Sequence, residues 1–389
     1  MAYVRRRIEA ALRKAARGFP ALIVTGPRRC GKTEVLRHAF PDATAFLLED
    51  PEVLRRVRSD PRQFLDGVKT PVILDEIQNA PELFAHVRSR IDLGRRRHGQ
   101  WLFTGSQEAG LMQGVTESMA GRAAVFSMLP FGVEESARVG WVRGGFPEVV
   151  LRPSHADAWF SSYVQTYLER DVRQVTAVKD LARFRHFLAL LASRAGQTLN
   201  RSDIAAPLGV SVPTISSWLG VLETTGQILL LPPFFENVGK RLTKSPKLHF
   251  VDAGLLTHLL GIRSEQALLA SPFAGPVFEG FVASEIVKAQ VHRGRRREIY
   301  GFRDAHGLEV DLVVPLGGRR LALVEAKATR SPDPRSLGPL FRVRDALRGW
   351  DVHSFLVYRW RPQDPPTTAL APGVEAVGVQ ALITRLFDD

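Results

Sequence analysis

The segment ALIVTGPRRCGKT, residues 21–33, most narrows what this chain can become. Ala21 to Thr25 read as a buried strand, Gly26 to Gly31 as a loop, and Lys32 and Thr33 as the opening of a helix. The pattern G-x-x-x-x-G-K-T therefore sits in the strand–loop–helix order it requires. The backbone N–H groups of such a loop, with the helix N-terminus behind them, hold phosphate oxygens. The expected cradle is Gly26, Pro27, Arg28, Arg29, Cys30, Gly31, Lys32 and Thr33. Lys32 is placed to neutralise the β and γ phosphates and the Thr33 hydroxyl to ligate Mg2+, so the expected ligand is ATP with Mg2+. Arg28 and Arg29 face phosphate, a partner subunit or solvent, and the sequence leaves the three open.

Phosphate chemistry on a parallel sheet also needs an acidic residue at the end of a neighbouring strand, because ligands lie at the carboxyl ends of the strands. VILDEIQ supplies it: Val72, Ile73 and Leu74 form the strand, Asp75 is the expected Mg2+ partner, and Glu76 is the expected general base for the attacking water. A third strand, WLFTGSQ, ends in small polar groups. Ser106, Thr104 and Gln107 are candidates to touch the γ phosphate or orient water. Arg122, in MAGRAAVF, is the candidate arginine to complete the site, in cis or from a neighbouring subunit.

GPRRCGKT, VILDEIQ, FTGSQ and MAGRAAVFSMLPF, in this order, resemble a widespread prokaryotic group of AAA-type ATPases. In that group a short ATPase core precedes a C-terminal domain of unknown function, DUF4143. GGFPEV (residues 144–149) and SSYVQTYLERDVRQ (161–174) look like the group's linker, so the resemblance covers nearly the whole chain. It implies an ATPase whose biological task is mostly unassigned, with DNA-associated roles suspected for some members. Cores of this type often work as rings, so a homo-oligomer is an expectation.

The 389 residues fit two or three domains, and the 45% apolar fraction can fill real cores. The formal net charge of +13 raises the local anion concentration and makes DNA a plausible partner. One cysteine, Cys30, excludes an intrachain disulfide and fits a reducing compartment. The basic start is amphipathic, with Val4, Ile8, Leu12 and Ala15 or Ala16 on one helical face, and it lacks the pattern of a signal peptide. No apolar run reaches the roughly 18 residues of a spanning helix. The expectation is a cytoplasmic protein with no membrane partner.

The expected organisation is α/β: a P-loop NTPase (AAA-like) parallel-sheet domain over 1–140, a helical linker over 141–195, a winged-helix domain over 196–265, and a restriction-endonuclease-like α/β domain over 266–389. In the linker, Trp159, Tyr163, Tyr167 and Leu168 repeat at helical spacing and read as core packing. In the middle domain Asn200 or Ser202 caps a helix, Gly209 makes the turn, and Ser211 starts a second helix with Pro213 in its first turn. Ile215, Trp218, Leu219 and Leu222 form its buried face. A strand from Ile228 and a wing carrying Lys240, Arg241, Lys244 and Lys247 complete a winged helix. Thr214, Ser216 and Ser217 would face DNA and the wing's basic residues its phosphates. The helix carries no Arg, Lys, Asn or Gln between Ser211 and Leu222, so its capacity to read bases is poor.

The C-terminal region reads as a helix around Phe278, Phe281, Val282 and Ile286, followed by a hairpin or meander with strands at Ile299–Phe302, Glu309–Val314 and Leu321–Lys327. Side chains two apart share a strand face. Asp311 lies in one strand, and Glu325 and Lys327 lie on one face of the next. Glu279 points in from the helix, and Glu309 is a further carboxylate on the face of Asp311. This D…E-x-K set resembles the restriction-endonuclease-like superfamily, in which such carboxylates hold Mg2+ and the lysine activates water. Glu279, Asp311 and Glu325 are the expected metal ligands; Asp311, Glu325 and Lys327 are the expected catalytic set. The leading reading is an ATPase coupled to DNA binding or processing. The alternatives are an ATP-dependent nuclease or junction processor, and a nucleotide-switched signalling or scaffold ATPase acting on protein partners.

Overall fold

A computed structural model describes residues 3–94, 97–106, 118–168, 181–234, 245–304, 306–361, 363–364 and 367–388. The chain divides into two compact units, the first comprising residues 1–131, 224–226 and 291–295 and the second 132–223, 227–290 and 296–389.

Among the described residues of the first unit, β1 (Ala21–Gly26), β2 (Thr44–Leu47), β3 (Val72–Asp75), β4 (Trp101–Ser106) and β5 (Ala123–Ser127) form one parallel sheet in the order β2-β3-β4-β1-β5. Every residue of β1 is buried, as a strand covered on both faces must be. Alternation sorts its side chains. Ala21 and Ile23 join a core with α3 (Pro51–Ser59), α4 (Pro61–Asp66) and α5 (Leu83–Leu93), through Val57, Phe64, Leu83, Phe84, Val87 and Ile91. Leu22 and Val24 join the opposite core, with Ile8 and Leu12 of α1 (Ile8–Ala15) and Val35 and Leu36 of α2 (Lys32–Ala39). Ile8 and Leu12 are the apolar face read from the N-terminal sequence. Strand β4 lies between β1 and β3. Its register, Gly26 opposite Ser106 and Leu74 opposite Phe103, brings Gly26, Thr104, Ser106 and Asp75 to one edge of the sheet.

In the second unit, the GGFPEV segment turns at Gly144 and Gly145 into α6 (Pro147–Leu151). Its glycine is explained by Asp252. The carboxylate of Asp252 accepts hydrogen bonds from Gly145 N (2.7 Å) and from Leu255 N (3.0 Å), capping α11 (Ala253–Leu259). Gly144 has φ +72°, and a Cβ there would lie 2.0 Å from Asp252 Oδ1. The linker motif is thus a packing device. Phe146, Trp159, Phe160 and Tyr163, the last three on α7 (Ala156–Tyr163), stack as an aromatic cluster. The side chains of Tyr167 and Leu168, the ERD residues 169–171 and Gln107 lie outside the described residues.

Helices α8 (Leu181–Ser193), α9 (Arg201–Leu208) and α10 (Val212–Thr224) follow, and Asn200 caps α9 through Ser202 N. Gly209, at φ +61°, makes the turn between α9 and α10, and Ile215, Trp218, Leu219 and Leu222 are buried as read. Strands β6 (Ile228–Leu231) and β7 (Lys247–Phe250) pair antiparallel. Lys240, Arg241 and Lys244 lie outside the described residues.

After α12 (Glu265–Leu269) and the long α13 (Ala274–His292) comes a mixed sheet of β8 (Tyr300–Arg303), β9 (Glu309–Gly317), β10 (Arg320–Lys327), β11 (Asp351–Tyr358), β12 (Thr367–Ala371) and β13 (Val374–Val377). Their order is β12-β13-β11-β10-β9-β8. β8, β9 and β10 run as the antiparallel meander read from sequence. β10 and β11 are instead parallel, joined across α14 (Gly338–Ala346). α15 (Val379–Phe387) closes the chain, packed through Leu382, Ile383, Leu386 and Phe387. Among the described residues no single helix is long and apolar enough to cross a membrane.

Candidate functional site

The phosphate loop leaves β1 through a backbone that only glycine tolerates. Gly26 has φ +151°, and a Cβ on it would lie 2.0 Å from the Met128 carbonyl oxygen. Gly31, at φ +96°, turns the loop into α2. Arg29 sits at φ +63°, a left-handed conformation that costs an ordinary residue about 1–2 kcal/mol. A brace absent from the sequence reading holds the next residue of the loop. Arg6, 3% exposed, donates through Nη1 to Cys30 O (2.8 Å) and through Nη2 to Leu129 O (2.7 Å), and its guanidinium lies 4.6 Å over the Phe131 ring. Cys30 is fully buried with its Sγ on Met128 O at 3.4 Å. Burial raises its thiol against the opposing pull of Lys32 and Arg6. Lys32, 4% exposed, donates its ammonium to the carbonyls of Gly26 (3.2 Å) and Pro27 (3.0 Å).

The acidic strand end meets the loop directly. Thr33 Oγ1 donates to Asp75 Oδ1 at 2.6 Å, and Thr104 Oγ1 donates to the same oxygen. Thr104 also accepts from Glu76 N at 3.0 Å. That bond matters because Glu76 has φ +54°, a left-handed backbone that only a surrounding structure sustains. Gln78 Nε2 bridges Glu76 Oε2 and Ser106 Oγ, the latter at 2.9 Å. Burial works against ionisation of Glu76, but Lys32, Gln78 and Arg28 outweigh it and hold the carboxyl below its ordinary range. The structure thus gathers Lys32, Thr33, Asp75, Glu76, Thr104 and Ser106 at one edge, with Gln78 added. The sequence offered a signal for Gln78: two residues past Glu76, it can share that residue's surroundings. Arg28 pairs with Glu49 at 3.5 Å.

Arg122 is corrected as a residue completing this chain's own site. Its carbonyl accepts from Ala21 N, at the amino end of β1, whereas the loop follows the carboxyl end. The length of β1, roughly 17 Å at 3.3 Å per residue, separates the two. Its guanidinium is committed to Asp92, with Nε on Oδ1 at 2.7 Å and Nη2 on Oδ2 at 2.9 Å.

In the C-terminal sheet the expected carboxylates do converge, around an unexpected partner. Antiparallel register pairs Val324 with Leu312, which sets Glu325 across from Asp311. Asp311 Oδ2 accepts from Ala326 N (2.9 Å), and Lys327 Nζ donates to Glu325 Oε1 (2.6 Å). Lys247, read as a wing residue facing DNA phosphate, instead turns inward. Its Nζ lies 2.6 Å from Glu279 Oε1 as an ion pair, donates to Glu309 Oε1 at 2.8 Å, and stands 3.9 Å from Asp311 Oδ1. Burial, then the charges of Glu279 and Glu325, push the Asp311 carboxyl well above the usual range. Burial likewise raises Glu325 against the pull of Lys327. Burial would raise Glu279, but His249 and Lys247 outweigh it and hold that carboxyl low. Among the described residues no three His, Cys, Asp or Glu side chains form a set that could hold a metal ion. The expected Mg2+ site on Glu279, Asp311 and Glu325 is therefore not formed in this arrangement; the Lys247 ammonium stands on Glu279 and Asp311, and that of Lys327 on Glu325.

The parallel sheet, the glycine-shaped loop and the hydroxyl–carboxylate contact at its edge define a P-loop NTPase of the AAA type. A model described as an AAA domain matches residues 18–137, and models of two domains of unknown function, DUF8612 and DUF4143, match residues 134–266 and 274–369. Uncharacterized proteins of Mycobacterium tuberculosis and Mycobacterium bovis are each 33% identical over 337 residues, covering 84% of this chain and 75% of theirs. The chain belongs to their family, AAA-type P-loop ATPases with a C-terminal DUF4143 domain. Among solved structures, a Walker-type ATPase of Pyrococcus abyssi is similar at TM-score 0.40 and 15% identity, over 66% of this chain and 96% of its own. A RuvB variant of Thermotoga maritima is similar at TM-score 0.30 and 16% identity, over 62% and 94%. Likeness at that level does not extend beyond the fold.

Proposed function

We propose that this chain hydrolyses ATP with Mg2+ and that hydrolysis is coupled to engagement of DNA. The observation that carries the first half is the 2.6 Å contact between Thr33 Oγ1 and Asp75 Oδ1, with Glu76 beside it. A hydroxyl and a carboxylate are the hard oxygen donors that Mg2+ takes, so the residues present fit the ion, with Thr33 as ligand and Asp75 holding its shell. When bound, Mg2+ would neutralise charge on the β and γ phosphates.

The chain's own residues do the rest. Lys32 rests on the carbonyls of Gly26 and Pro27, and phosphate oxygens offer its ammonium stronger partners. The N–H groups of the loop face the same phosphates. Glu76, held ionised, accepts a hydrogen bond from the attacking water and orients it toward the γ phosphorus. Gln78 fixes where that carboxylate points by tying it to Ser106. It is a positioning residue. Gln78→Ala is expected to lower kcat about 10–100-fold, the worth of one hydrogen bond to a charged group, with KM for ATP within about twofold. A rise in KM at unchanged kcat would assign Gln78 to nucleotide binding instead.

The DNA half rests on the +13 net charge and on helices α9 and α10 with the turn at Gly209, which we read as the first helices of a winged helix. The outer face of α10 presents Ser216 and Ser217, exposed and uncharged. Such a surface suits backbone contact rather than base readout. Steady-state hydrolysis should be titrated with duplex, single-stranded and branched DNA at low and moderate salt, with Lys32→Ala as control. One DNA form is expected to stimulate turnover at both salt concentrations. Turnover indifferent to every form would replace DNA coupling with a nucleotide switch acting on protein partners.

A further inference from the structure

The cluster in the C-terminal sheet already holds a cation, and that cation belongs to the chain. We propose that Lys247 is a built-in counter-ion that closes the cluster of Glu279, Asp311 and Glu325 to divalent cations, so that the cluster takes a metal only when Lys247 is withdrawn.

The geometry is that of a site filled from within. Lys247 Nζ lies 2.6 Å from Glu279 on α13 and 2.8 and 3.9 Å from Glu309 and Asp311 on β9, with only 15% of its side chain exposed. A divalent cation shared by these carboxylates needs the same oxygen atoms and the same volume. Two cations cannot stand there together, because they would repel across a few ångströms of poorly solvated space.

The lysine also leaves the cluster incompletely satisfied. Glu325 Oε2 is buried without a hydrogen-bond partner, although Glu325 is only 6% exposed. The His249 ring is wholly buried, neither nitrogen makes an aligned hydrogen bond, and Nε2 stands 3.4 Å from Glu279 Oε1. Buried polar groups are nearly always paired, and these orphans lie against the carboxylates that hold the lysine. They are the groups that a ligand entering after Lys247 would find.

Lys247 opens β7, whereas Glu279 and Asp311 belong to α13 and β9, so the cation and the carboxylates it neutralises are carried by different elements.

The test is Mn2+ binding to the full-length, nucleotide-free protein, read as free Mn2+ by electron paramagnetic resonance. Lys247→Met is expected to bind Mn2+ at least about tenfold more tightly than the parent, the consequence of removing a competing charge. Adding Asp311→Asn to Lys247→Met should abolish the gain, which separates this cluster from Thr33 and Asp75. Glu309→Gln keeps the lysine but removes one of its anchors. It should give a smaller gain in the same direction, and it keeps the proposal testable if Lys247→Met does not fold. Lys247→Met should also gain thermal stability on adding Mn2+, and the parent should not. Two results would overturn the proposal: variants that bind Mn2+ no more tightly than the parent, or a parent that already binds it with an affinity that Asp311→Asn destroys.

Discussion

A Glu76→Gln chain is expected to bind Mg-ATP within about threefold of the parent and to turn it over roughly 10²–10⁴-fold more slowly, the usual worth of a positioned general base. The substitution is nearly isosteric. The backbone of residue 76 stays pinned by Thr104, and neither Lys32 nor the Thr33–Asp75 contact is touched. What disappears is the negative charge that burial opposes and that Lys32, Gln78 and Arg28 sustain. Lys32→Ala should fail differently, losing ATP binding itself, because the charge facing the phosphates is gone. The pair is measured by nucleotide titration and by single-turnover hydrolysis on each variant. Unchanged turnover in Glu76→Gln would remove Glu76 from the role of base and return the search to Ser106 and its neighbours. Loss of binding in Glu76→Gln would instead make it part of the nucleotide cradle.

The difference between these two residues is legible in the amino-acid sequence because both sit in local patterns. A strand, a glycine turn and a helix start are specified within a dozen residues, and VILD ends its strand where a parallel sheet exposes its ligands. What the sequence hides is carried over long separations. Arg6 braces Cys30 and Leu129 across 24 and 123 positions, and nothing near Arg6 distinguishes it from the arginines beside it. Lys247 meets Glu309 across 62 positions. In a stretch with Lys240, Arg241 and Lys244 it reads as one more basic wing residue. Its alternation with Leu248 and Phe250 does not say which face of β7 meets a carboxylate. Arg122 is a different case, since the information is present. It precedes β5, and in a parallel sheet the residue before a strand lies at the edge opposite the phosphates. The D…E-x-K spacing correctly puts Asp311 and Glu325 across from each other. It cannot show that a lysine from another element stands among them.

The GGFPEV segment gives the largest expected effect on stability. Gly144→Ala is expected to destabilise the second unit by about 2–5 kcal/mol, combining an overpacked core with a left-handed alanine. The thermal midpoint should fall by about 4–20 °C, at 2–4 °C per kcal/mol for a unit of this size. The cause is specific. A Cβ on Gly144 would lie 2.0 Å from Asp252 Oδ1, and Asp252 cannot step back without releasing Gly145 N and Leu255 N. Asp252→Ala is costly for its own reason, since each released N–H is left buried at about 1–3 kcal/mol. The double variant discriminates. With Asp252 gone the alanine has room, so the two costs should sum to more than the double variant's cost, by about 1–3 kcal/mol. Additive costs would mean that the Gly144 requirement is one of backbone conformation alone, and that the Asp252 carboxylate is not what holds position 144 to glycine.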